Sequence, residues 1–156
     1  MKRYIVIIAM ALLCAATAVS CKKDSGETVI KSSIVGDWHL ATYNGQKTDN
    51  FDIYMRLGSN GQFVIYQHLS TLGYERLTGT YSVTSTTLTG VYDDGVEWNG
   101  VYEYTLSSDG NTLTTVLKGE HSTETSVYVR TEIPADLPVL DGSRSEVAGY
   151  TGFRAL

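Results

Sequence analysis

Residues 51–69 read FDIYMRLGSNGQFVIYQHL, and this stretch decides the fold. Phe51, Ile53, Met55 and Leu57 alternate with Asp52, Tyr54 and Arg56; beyond Asn60-Gly61, Phe63, Ile65 and Leu69 again share one side. Successive side chains of an extended chain point to opposite faces, so each run is a strand with one apolar face. Asn-Gly readily takes the positive φ of a two-residue hairpin turn, which makes the two strands antiparallel neighbours.

The same pattern extends in both directions. Turn chemistry recurs at Asn44-Gly45, Asp94-Gly95 and Asp109-Gly110-Asn111, between segments rich in Thr, Val, Tyr and Ile. Strands are expected near 36–43, 51–58, 62–69, 74–84, 86–92, 97–107, 112–118 and 124–132. About eight strands joined by short turns form an all-β antiparallel meander, which closes most readily into an up-and-down barrel because closure removes exposed edges. A two-sheet sandwich is the alternative, since strand period does not report closure. Alternation directs Tyr81, Val83, Leu88, Tyr92, Trp98, Tyr102, Tyr104, Leu106, Leu113 and Leu117 inward. In the last strand Val127 and Val129 compete with Tyr128 and Arg130 for the interior.

Outside the barrel, residues 1–20 have a basic start at Lys2 and Arg3, an apolar run from Tyr4 to Cys14 and then small residues, the layout of a secretory signal. The run is shorter than the roughly 20 apolar residues that span a bilayer. Residues 21–33 are polar without a period and are expected to form a flexible tether. The domain then covers 34–133, followed by a tail over 134–156 that carries Pro138 and several glycines. Leu137, Val139, Leu140, Phe153 and Leu156 give the tail apolar surface to pack along the outside of the barrel, with a short helix expected near 144–148.

Composition excludes several classes. The chain has 156 residues and a formal charge of −5, and removing residues 1–20, which carry two bases and no acid, leaves the remainder more acidic still. No basic cluster stands in the domain, so nucleic acid is not an expected partner. The two cysteines, Cys14 and Cys21, both precede the domain, which therefore has no disulfide, thiolate metal site or Cys nucleophile of its own.

Ala18-Val19-Ser20-Cys21 resembles the lipobox of bacterial lipoproteins, with Ala18 where Leu is commonest in that family. The resemblance implies that Cys21 is acylated and becomes the mature N-terminus. Gly36-Asp37-Trp38 resembles the Gly-x-Trp signature at the first strand of lipocalins, and Tyr128-Val129-Arg130 resembles their closing strand with its basic residue. Together with Gly36–Leu40 and Tyr104–Leu113 (YTLSSDGNTL), these segments are similar to lipocalin-like lipoproteins of the Bacteroides type. The resemblance spans roughly residues 34–133. It implies a barrel whose first and last strands are neighbours, with Trp38 plugging one end under the Arg130 guanidinium. It also implies an exported protein, lipid-anchored at the outer membrane of a Gram-negative bacterium.

Chemistry is sparse. His39, His68 and His121 show no metal-ligand spacing, so no metal and no cofactor are expected. Asp93-Asp94-Gly95 reads as a turn before it reads as a carboxylate pair, Glu97 and Glu103 have no cleft pattern, and no serine sits in a nucleophile elbow. Binding rather than catalysis is the expectation. A small apolar or amphipathic ligand would be lined by Ile53, Met55, Phe63, Ile65, Tyr81, Trp98, Tyr102 and Tyr104, entering past the turn at Asn44-Gly45. The alternative is a non-catalytic accessory lipoprotein whose outer face meets a cell-surface protein or glycan, with the aromatics serving only strand propensity.

Overall fold

Each alternating run becomes a strand, and the strands close on themselves. A computed structural model describes residues 33–69, 72–120, 123–140 and 154–156. It contains β1 (Gly36–Tyr43), β2 (Asp52–Leu57), β3 (Gln62–His68), β4 (Glu75–Val83), β5 (Thr87–Tyr92), β6 (Tyr102–Leu106), β7 (Thr112–Lys118) and β8 (Thr123–Arg130). Every strand pairs with its sequence neighbours, and β1 pairs antiparallel with β8, giving a closed eight-stranded up-and-down barrel. The sandwich is excluded. Cys14, Cys21, His121, Phe153 and the helix expected at 144–148 lie outside the described residues.

The connections after β1, β3, β5 and β7 gather at one end, here called the mouth, and those after β2, β4 and β6 at the other, the base. The first mouth turn is built by Asn44 and Gly45, whose φ angles are 51° and 77°. Both are in the left-handed region that a two-residue hairpin with matched twist requires.

The strand expected over 97–107 is cut to Tyr102–Leu106. Glu97 makes only an isolated bridge to Val91, and the Trp98 amide donates to the Gly90 carbonyl at 2.9 Å. This irregular stretch turns the Trp98 ring over Gly90, where a Cβ would stand 2.2 Å from the indole Cε2. Gly90 therefore leaves the space that Trp98 fills, and Asn99-Gly100 separates that bulky residue from the regular ladder.

The inward faces make one core that includes Leu40, Met55, Phe63, Ile65, Leu77 and Leu113, all almost wholly buried. Burial of each such side chain stabilises the fold by roughly 1.5–3 kcal/mol. In β8 the interior goes to Tyr128, which is buried opposite Leu40, while Val127 and Val129 face outward.

The base is closed by a specific set of contacts. Trp38 is fully buried and its indole N–H donates to the Ile34 carbonyl at 2.9 Å. The Arg130 guanidinium carbon lies 4.2 Å from the centroid of the Trp38 ring. Its nitrogens donate to the carbonyls of Gly110, Val35 and Ser33 at 3.0, 2.9 and 3.1 Å. Gly36, at φ 139°, sits directly under it, and a Cβ there would meet Arg130 Nη1 at 2.2 Å. The Gly-x-Trp pattern thus has a geometric reason: the glycine supplies both the backbone angle and the clearance.

Residues 134–156 were expected along the outer surface; of the described part, residues 134–140 and 154–156, only the latter differ from this. Val139 does run beside Tyr74 as a parallel bridge at the mouth edge. Arg154 and Leu156, however, are buried, and Leu156 belongs to the core. Interior partners hold residues 154–156 there. The Ala155 amide donates to Gln67 Oε1 at 3.1 Å, and the Tyr92 hydroxyl donates to the Leu156 carbonyl at 2.9 Å.

Candidate functional site

A cavity of about 600 Å³ opens at the mouth. Its apolar wall comes from Leu40, Phe51, Ile53, Leu69 and Leu117, and its polar groups from Tyr43, Asn50, Asn99, Glu124, Ser126 and Tyr128, with Ala155 on one side. Volume and lining both fall in the range of small-molecule sites, which are mostly apolar with a few fixed polar groups.

Two local features of the chain set this lining. On β8, the alternation that puts Tyr128 inside also turns Ser126 and Glu124 inward, stepping towards the mouth. On β1, the register with β8 shifts between Leu40 and Thr42. This bulge reverses the alternation, so that Tyr43 joins Leu40 on the cavity wall and stands opposite Ser126. Leu117 faces Glu124 across the β7–β8 ladder.

The phenols inside stay neutral. Burial pushes Tyr128 up to about 12 and also raises Tyr102. Tyr43 is raised first by burial and then by its hydrogen bond to the Glu124 carboxylate. The cavity therefore offers neutral hydroxyls and one carboxylate. Two further interior atoms, Trp98 Nε1 and Thr115 Oγ1, are buried without a hydrogen-bond partner.

Beside the cavity, Arg154 locks the tail. Its Nη1 donates to Asp94 Oδ1 at 3.0 Å, its Nη2 donates to Asp94 Oδ2, and its guanidinium carbon lies 4.3 Å from the centroid of the Tyr92 ring. Gln67, wholly buried, donates from Nε2 to Glu75 Oε2 at 3.1 Å while accepting the Ala155 amide. A fork of this kind fixes a cation in position as well as attracting it.

Comparison with models of known protein families and with curated proteins finds no match for this chain. Among the described residues no group of three or more His, Cys, Asp or Glu side chains is placed to hold a metal ion, and no helix is long and apolar enough to cross a membrane.

Of the eight residues expected to line a ligand site, only Ile53 is on the cavity wall. Met55, Phe63, Ile65, Tyr81, Trp98 and Tyr102 are buried in the core. Phe63 packs against Tyr92 and Trp98 with ring centroids 5.4 and 5.1 Å apart, and Tyr81 donates its hydroxyl to the Gly58 carbonyl at the base. Tyr104 is only partly buried, and its hydroxyl donates to the Thr84 carbonyl, also at the base. Alternation reports which side of the wall a residue faces; it does not report height along the barrel axis, and the lower part is filled by side chains. Tyr43, Glu124, Ser126 and Ala155 were missed. Glu124 could have been found once Tyr128 was placed inside, because it lies two strand periods away.

Proposed function

We propose that this protein is an exported, lipid-anchored lipoprotein whose lipocalin-like barrel binds a small apolar or amphipathic molecule at the mouth and does not transform it. The observation that carries the binding reading is the cavity of about 600 Å³, sealed below by the Trp38 and Arg130 base and walled by Leu40, Phe51, Ile53 and Leu117. A neutral, environment-sensitive dye should bind the full chain with micromolar affinity, and Ser126→Trp, which fills the cavity, should abolish it. Absence of dye binding to the unsubstituted chain rejects the reading.

The anchoring part rests on the lipobox-like Ala18–Cys21 and the signal-like residues before it. Several acyl chains on Cys21 would hold the domain stably, at about 0.8 kcal/mol per buried CH₂. The outer membrane of a Gram-negative bacterium is the proposed location. Mass spectrometry should find residues 1–20 removed and Cys21 acylated, and Cys21→Ser should release the protein from the membrane fraction.

A second reading, in which the outer face meets a cell-surface protein or glycan, is favoured by one exterior cluster. His39 stacks on Tyr54 with centroids 4.3 Å apart, and Asp52 accepts from both His39 Nε2 (2.6 Å) and the Tyr74 hydroxyl (2.5 Å). Such a fixed aromatic platform suits a sugar ring or a peptide side chain. Tyr54→Ala should weaken partner capture while leaving dye binding intact.

A further inference from the structure

We infer that the molecule held at the mouth carries a positively charged head group, seated against Glu124, above an apolar tail lying along Leu40, Phe51, Ile53 and Leu117. This rests on the cavity being a binding site, and it adds the chemical class of the occupant.

The placement of charge on β8 carries the inference. Its inward line runs Glu124, Ser126, Tyr128, Arg130 from mouth to base, with an acid at the open end and a cation at the closed end. Arg130 is used up below the cavity, over the Trp38 ring and on three backbone carbonyls. Among the described residues that line the cavity, Glu124 is the only charged side chain.

Arg154 is forked on Asp94 and packed on Tyr92, so its charge is already matched. An anionic amphiphile would place its carboxylate beside Glu124 with no cation among the described residues of the cavity wall, and repulsion strengthens as water is excluded. An uncharged head would bury the carboxylate without compensation. A cation supplies the opposite charge. A carboxylate has about four acceptor sites, so room remains for an ammonium donor.

The test compares octylammonium, octanol and octanoate, one tail with three heads, by calorimetric titration of the purified full chain and of its Glu124→Gln variant. The expected order for the unsubstituted chain is ammonium tightest, by about tenfold over the alcohol, with octanoate weakest. In Glu124→Gln the ammonium advantage should disappear and octanoate should gain. Equal binding of alcohol and ammonium overturns the head-group assignment and leaves the cavity as a binding site. An ammonium preference that survives Glu124→Gln overturns it as well, because the charge then lies elsewhere. If none of the three binds, the binding reading itself falls, and the head-group assignment with it.

Discussion

The Arg130 guanidinium carbon lies 4.2 Å from the centroid of the Trp38 ring, and the two residues are direct partners in the β1–β8 ladder. One contact thus joins the first strand to the last and seals the base. Trp38→Ala should destabilise by about 3–5 kcal/mol, because it empties a fully buried site. Arg130→Ala should cost about 1–2 kcal/mol, through the cation–π contact and the carbonyls it leaves. Urea unfolding measures both, and equal costs would contradict the assignment of Trp38 as the core of the plug.

Gly36 is the third member of this base. Gly36→Ala meets two penalties, a φ of 139° and a Cβ 2.2 Å from Arg130 Nη1. The steric part should vanish when Arg130 is also truncated. A double-mutant cycle should accordingly show favourable coupling of about 0.5–3 kcal/mol between Gly36→Ala and Arg130→Ala, with the backbone penalty remaining. Strict additivity would mean that the guanidinium moves aside freely.

Asp94 and Arg154 hold the tail inside the barrel, with side chains only 12% and 7% exposed. Asp94→Ala should destabilise by about 1.5–3 kcal/mol as a charged hydrogen bond is lost. The pH dependence has a definite sign. Hydrogen bonds from Arg154 hold the folded Asp94 carboxyl below its ordinary value of 3.8. Its contribution is then complete above 3.8 and lost as pH falls through the lower folded value. The stability difference between the unsubstituted chain and Asp94→Ala should be constant from neutral pH to about 5 and should shrink on further acidification.

Gly90→Ala should displace the Trp98 ring, since the new Cβ would lie 2.2–2.6 Å from three of its atoms. The expected cost is about 1–3 kcal/mol, as for other overpacked cores. With both tryptophans fluorinated, only the Trp98 resonance should move. Movement of Trp38 too would show that the two ends of the barrel are mechanically coupled.

The strands were legible because a half-buried wall forces a period of two, and runs such as 51–57 and 62–68 keep it without interruption. Four things were not. The bulge at Leu40/Thr42 brings Tyr43 inside without a glycine or any other local mark. The choice between Tyr128 and its neighbours is made by β1, whose Leu40 stands opposite. The Arg154–Asp94 fork joins positions 60 residues apart, and no local period announces such a contact. Tail residues with apolar character looked like an outer coat, and only buried partners such as Gln67 and Tyr92 draw them in.

The seam between β1 and β8 also orders events in time. Arg130 donates to a carbonyl 95 residues earlier in the chain, so the barrel cannot close until nearly the whole domain has been made. Until residues 123–130 arrive, the free edge of β1 and the free edge of β7 both present unpaired backbone groups to any strand nearby. A chain stopped or cut before residue 123 is therefore not a smaller barrel but an open sheet with two adhesive edges, a template for association between copies.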